Sequence, residues 1–177
     1  MTDREPVETT NLDRYGFPPL LWSRPLEHLA VGSLGRDGVV VLGTVRPDGR
    51  PHAAGIGAVW FEGDFYFTSG PGTQKSRNLA AKPDCTLAVR LESIDMVFEG
   101  SAARVTELSV LEAVVTLFNK GGWPAKVDAA AAAFSAPYSA PSAGPGPWPC
   151  YRFTFHTAIG VATAEPYGAT RWRFGRS

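Results

Sequence analysis

The stretch Phe65-Tyr66-Phe67-Thr68-Ser69-Gly70-Pro71-Gly72-Thr73-Gln74-Lys75-Ser76-Arg77-Asn78-Leu79 constrains this chain more than any other. Three strand-type aromatics stop at Gly-Pro-Gly. The chain then restarts with a hydroxyl residue in a helix N-cap position and carries Lys75 and Arg77 in the first turn. Backbone N–H groups at a helix start lack partners within the helix, and the helix dipole favours negative charge there. Thr73 and Lys75 add a donor and a cation to the same spot, so the pattern predicts a phosphate site. The same residues also suit a solvated surface behind a Gly-Pro-Gly loop, because cations in a first turn oppose the dipole.

The upstream sequence bears on that choice. Residues 39–46 form a β-branched run, and Pro47-Asp48-Gly49 supplies a tight hairpin turn into a return strand over 51–60. That strand contains Ala53-Ala54-Gly55-Ile56-Gly57-Ala58-Val59, which is small-sided for a core strand. Glycines in a strand mark either the close approach of something flat or a bend that relieves a barrel. Glu62-Gly63-Asp64 makes a second turn, so the small-sided strand and the strand at 65–67 are antiparallel neighbours. The two features then form one site. A ring on the edge from Gly57 to Trp60 with a phosphate tail at residues 73–77 has the shape of a flavin mononucleotide.

Elsewhere the pattern is of short strands with few helices. A short helix is expected over 23–29 with Ser23 as its cap, a second ends before Pro83, and a third covers 107–119 with Leu108, Leu111, Val115 and Phe118 on one face. Strands are expected at 85–91, 96–105 with a bulge near Gly100, 151–156, 159–164 and 169–174. Residues 120–148 are rich in Ala, Pro, Ser and Gly but carry Trp123, Phe134, Tyr138 and Trp148, which suits a functional flap or a linker. The fold expected is mainly β, a barrel over 25–177 with a few short covering helices, preceded by an extended arm over 1–24.

Composition excludes several classes of function. Lys+Arg and Asp+Glu balance at 17 each, so no global field draws the chain to nucleic acid. No apolar run reaches the roughly 18 residues of a membrane span, and the polar start does not resemble a signal peptide, so a cytoplasmic protein is expected. Cys85 and Cys150 lack a CxxC spacing and are expected to be small buried hydrophobes. His28, His52 and His156 fit no ligand pattern, and no metal site is expected.

Thr44-Val45-Arg46-Pro47-Asp48-Gly49-Arg50-Pro51-His52, Phe65 to Ser69, Thr73 to Leu79 with Lys82-Pro83, Gly122-Trp123-Pro124, and Ala169 to Phe174 together form an ordered set. This set resembles the pyridoxamine 5′-phosphate oxidase-like split β-barrel flavoproteins, and within them the flavin/deazaflavin oxidoreductase branch. The resemblance implies a homodimer with a cofactor, FMN or the deazaflavin F-420, in a groove between subunits. It puts the ring along the backbone of Gly57, Ala58, Val59 and Trp60, the ribityl chain at Thr68 and Ser69, and the phosphate at Thr73, Gln74 and Lys75, with Arg77 and Asn78 in the same helix turn. It also puts Trp123, Tyr138, Arg171 and Trp172 at the ring or substrate end, with partner residues near Asp95.

Two departures from the family pattern matter. Gln74 stands where the oxidases carry Arg, which favours a singly charged phosphodiester, as in F-420, over a dianionic terminal phosphate. The stretch from Tyr167 to Arg171 has no His, so vitamin B6 oxidation is not expected. Hydride transfer to a planar conjugated small molecule admitted under the flap is implied, with Tyr138, Tyr167 or water as proton donor. The alternative is a non-catalytic protein that holds a flavin, F-420 or a tetrapyrrole.

Overall fold

Two tight turns set the strand order. In the computed structural model, which describes residues 4–30, 34 and 39–175, β2 (Val40–Val45) turns back into β3 (Pro51–Ile56). The turn is closed by Arg46 N–H donating to Arg50 O at 2.9 Å, with Gly49 at φ 88°. Between β4 (Ala58–Phe61) and β5 (Asp64–Thr68) the two turn residues, Glu62 and Gly63, have φ of 49° and 83°. Positive φ at both positions gives the turn whose twist matches that of the paired strands.

The pairings run in a circuit. β2 pairs with β3 and with β6 (Asp84–Arg90), β6 with β7 (Ile94–Arg104), β7 with β10 (Cys150–Ala162), β10 with β5, and β5 with β4. The last step, from β4 back to β3, is made covalently through Gly57 and not by hydrogen bonds. This is a split barrel, and the molecule is mainly β. The return strand expected over 51–60 is therefore two strands, broken where the sheet splits.

β10 is one long strand where two were expected, because a bulge at His156 lets it continue: the register shifts between Phe155 and Thr157. Gly100, on the facing strand, lies so close to the bulge that a Cβ there would strike Thr154 O and Phe155 Cα. The irregularity expected near Gly100 thus belongs to its partner strand.

Strand alternation divides the apolar residues between two cores. Phe65 and Phe67 point into the barrel with Leu42, Leu87, Phe98 and Phe155, whereas Tyr66 between them points to the other side. There it meets Val59, Cys150 and the apolar face of α3 (Leu108–Lys120). The buried residues of α3 are Leu111, Val114 and Phe118, while Leu108 is 43% exposed. The expected face is rotated, because the helix begins at Leu108 and its first turn lies toward solvent.

Residues 120–148 close this second core. They contain the hairpin β8 (Lys126–Asp128) and β9 (Ala133–Ser135), and Phe134 pairs with Trp148 through backbone bonds of 2.9 and 2.7 Å. At the other end, β1 (Glu8–Asn11) lies antiparallel on β11 (Ala169–Arg173), and α1 (Ser23–Leu29) follows. The N-cap of α1 is Trp22, without a side-chain bond, so Ser23 is the first helical residue and not the cap. Among the described residues no helix is long and apolar enough to cross a membrane.

Candidate functional site

The site starts at α2 (Gln74–Ala81), whose N-cap is Thr73 as the sequence predicts. Thr73 Oγ1 accepts from Ser76 N–H at 3.4 Å and donates to Gly70 O at 2.8 Å. Ser76 Oγ also donates to Gly70 O at 2.8 Å, and Ser69 Oγ lies 2.6 Å from Ser76 Oγ. These hydroxyls knit the end of β5 to the start of α2. Gly70 is required for a second reason: a Cβ there would strike the Ala143 carbonyl, so the flap segment rests on the loop backbone.

Two cavities meet at Lys75. The first, about 520 Å³, runs from Gly55 and Gly57 past Thr68 and Ser69 to Trp123 and Tyr138. The second, about 540 Å³, is bounded by His52, Ala54, Thr73, Gln74 and Gly144. Lys75, Ser142 and Ala143 line both. Lys75 is half-buried, and burial holds its ammonium below the usual lysine value. Among the described residues no carboxylate forms an ion pair with it. A desolvated cation without a counter-charge, set between two cavities, favours an anion. Atoms added at Gly55 or Gly57 would meet nothing within 4 Å, so both glycines open the wall of the first cavity.

The remaining sequence-predicted residues are distributed unevenly. Val59 packs in the second core, and Trp60 packs on Phe65 in the barrel at 4.8 Å between centroids. Ala58 is buried, and its carbonyl accepts from Leu34 N–H at 3.1 Å. None of Ala58, Val59 and Trp60 lines either cavity; of the expected ring edge only Gly57 does, although β4 is paired with β5 on one side only.

Arg77 does not line either cavity. Its guanidinium donates to Gly72 O at 2.6 Å and to Gln74 Oε1 at 2.9 Å. Gln74 in turn donates to Asn78 Oδ1 at 2.8 Å, and fully buried Asn78 donates to Thr44 Oγ1 at 2.9 Å. Asn78 is therefore a fastening between α2 and β2, out of reach of a ligand. Arg77 lies two residues on from Lys75, about 200° around the helix, and so faces away from it.

The C-terminal pair also stands elsewhere. Trp172 is 1% exposed and packs on Trp22 at 5.3 Å, inside the barrel core. Arg171 lies against the arm, donating to Thr10 Oγ1 at 3.3 Å. Neither reaches the cavities, because strand alternation turns Trp172 inward while β1 covers Arg171. Tyr167, a candidate proton donor by sequence, packs edge-on against Phe17 of the arm and lines neither cavity.

Residues beyond the sequence expectations also line the site, among them His52, Phe118, Ser142 and Trp148. The signal for His52 was available, since alternation places it on the same face of β3 as Ala54.

The family model described as pyridoxamine 5′-phosphate oxidase matches residues 27–135, more than half of the chain. The chain belongs to that family. Solved structures similar to this oxidase-family chain include a NimC/NimA family protein from Clostridium acetobutylicum, at 17% identity and a TM-score of 0.55, covering 85% of this chain and 90% of the other. A pyridoxamine 5′-phosphate oxidase-related, FMN-binding protein from Nostoc punctiforme matches at 16% identity and a TM-score of 0.52, covering 78% and 81%. A heme binding protein from Mycobacterium smegmatis matches at 17% and 0.55, covering 80% of this chain and 54% of its own. At these identities the likeness is one of fold. No curated protein matches the sequence.

Proposed function

We propose that the chain binds a flavin-type cofactor, with F-420 favoured over FMN, and uses it to reduce or oxidise a planar conjugated small molecule. The observation that carries this reading is the pair of cavities joined at Lys75. The first cavity has an open glycine wall for a flat ring and the Thr68 hydroxyl for a polyol chain, whereas the buried Ser69 hydroxyl is engaged with Thr73 and Ser76. Lys75 supplies the cation for a phosphate at its far end.

Two features support the deazaflavin. Gln74 and Arg77 are engaged with each other, so among the described residues Lys75 alone presents a full positive charge to both cavities, which suits a singly charged diester. The second cavity leaves room beyond the phosphate, where FMN has nothing to place and F-420 continues into its tail.

The bound cofactor supplies hydride chemistry. The chain positions the cofactor, excludes water with Phe118, Trp123, Tyr138 and Trp148, and leaves proton delivery to water or Tyr138. The Tyr138 hydroxyl donates to Gly122 O at 3.2 Å, while Trp123 Nε1 donates to Tyr138 O at 2.8 Å, so the two aromatics hold one another over the cleft.

The proposal includes a homodimer. The outer face of β2, β3, β6 and β7 presents small or apolar side chains at Val41, Ala53, Ala88 and Val97, flanked by Gly43 and Gly55. Such a face suits a second copy, and Gly55 joins it to the cleft. A tetrapyrrole or flavin store without turnover is the second reading, favoured by the same aromatic lid. Fluorescence titration with F-420 and FMN, followed by single-turnover mixing of reduced cofactor with quinones, enones and tetrapyrroles, separates the two. Tight binding with no oxidation by any acceptor rejects the enzyme, and no binding of either cofactor rejects the enzyme and the flavin store together.

A further inference from the structure

His52 is the one histidine at the cavities flanking Lys75, and its ring is held in an unusual way. It lies across the strand pair from Thr44, whose Oγ1 is 3.3 Å from His52 Nδ1 and 3.4 Å from His52 O. One lone pair of that oxygen is taken by Asn78 Nδ2–H. The remaining lone pair and the hydroxyl proton serve the ring in either state. Thr44 donates to Nδ1 when the imidazole is neutral. When the ring is charged, Thr44 accepts from Nδ1–H and turns its own proton to His52 O. The mount therefore tolerates both protonation states and leaves Nε2 free to donate.

The surroundings decide which state prevails. Burial first, then the positive charges of Arg46 and Lys75, hold the imidazole below its usual value, so it is neutral at pH 7. A further groove that His52 also lines carries Asp84, Glu99 and His156. In the adjoining turn Asp48 and Arg50 pair with each other at 2.8 Å. An anion at Lys75 offsets the two cations that act on the ring.

We propose that His52 is a second, proton-coupled ligand of the anion site, taking a proton from solvent as a phosphate-bearing ligand binds at Lys75 and donating to it from Nε2. This rests on the reading of Lys75 as the anchor of the ligand's phosphate. It adds that the site gains a second positive charge only when occupied. Affinity then rises as pH falls through the bound-state titration and levels off below the free-state one.

The test compares the full chain with His52→Asn, which keeps a hydrogen-bonding side chain beside Thr44. Binding of F-420 and FMN is measured between pH 5 and 8, with calorimetry in two buffers of different ionisation heat. Titration of the ligand itself is common to both proteins and cancels. The wild type is expected to tighten by roughly tenfold or more relative to the variant toward low pH, with proton uptake that the variant lacks. The imidazole resonance lost in the variant identifies His52 among the three histidines. Its titration midpoint is expected to rise when ligand is added, or when sulfate is used as a plain anion.

If either cofactor binds with equal pH dependence in both proteins and the midpoint does not move, the inference is wrong and the cofactor reading stands. If neither cofactor binds but sulfate still raises the midpoint, the anion site stands and the cofactor reading falls. If sulfate also leaves it unmoved, both fall.

Discussion

The barrel core and the core beneath the flap share one wall, β5, yet they are built in opposite ways. The barrel core is enclosed by strands from all parts of the chain, with Phe65, Phe98, Phe153, Phe155 and Trp172 each no more than 1% exposed. The second core joins a single helix, one short hairpin and Trp148 to the back of β4 and β5. The barrel is fastened by long ladders, whereas the flap is fastened mostly by side chains. The candidate cleft lies where the two meet, with Gly55, Gly57 and Thr68 from the barrel and Trp123 and Tyr138 from the flap. A rigid half that positions and a separately fastened half that covers is an arrangement suited to admitting a substrate.

The harshest test of the comparison is truncation in each core. Trp172→Ala should destabilise the whole molecule by about 3–5 kcal/mol, seen as one cooperative shift in denaturant unfolding. Phe134→Ala removes a comparable buried ring but should mainly lower hydrogen-exchange protection in 108–148, leaving amides of β6 and β7 protected. Equal loss of protection in both regions would show that the cores are one unit.

The seam between the cores should respond in function and not in stability. Lys75→Ala is expected to weaken cofactor binding by about tenfold to a hundredfold, since a charge-assisted bond is worth roughly 1.5–3 kcal/mol. The thermal midpoint should hold or rise slightly, because a desolvated cation with no ion-pair partner among the described residues has been removed. An unchanged dissociation constant would remove the phosphate from this position.

A smaller effect is expected at Gln74. Gln74→Ala frees the Arg77 guanidinium from its Oε1 acceptor, and the preference for F-420 over FMN should narrow by a few-fold, well under the roughly 1.4 kcal/mol that corresponds to tenfold. Competition between the two cofactors at fixed salt measures it. A preference that widens would mean that Gln74 itself opposes F-420.

The finest probe uses the two cysteines, one in each core. Burial pushes both the Cys85 and Cys150 thiols up to about 12, so at pH 8 only about one part in ten thousand is thiolate in the folded state. Both should resist alkylation. Any slow labelling reports opening of the core concerned, and mass spectrometry should find it at Cys150 before Cys85. The reverse order would make the barrel the looser half.

Much of this was written locally in the chain. Pro47-Asp48-Gly49 and Glu62-Gly63 each define a turn from their own residues, and with them come the pairings of β2 with β3 and β4 with β5. Thr73 announces the start of α2 in the same way, and the family resemblance rests on these same short segments. The cap, the turn and the alternating strand depend on neighbours within a few residues, and these the sequence displays.

What only the tertiary structure decided is the direction in which side chains point and what meets them. Arg77 and Lys75 share a helix turn, but their sides are distinguished only once α2 is laid against β2 through Asn78 and Thr44, 34 residues apart. Trp172 looks like a ring-end aromatic until its strand is seated between β1 and β10, which turns it into the barrel. His52 lines a cavity with Lys75 because β3 passes beside the helix that carries Lys75. These outcomes depend on contacts between distant segments, and no local pattern in the chain encodes which face of one element another will cover.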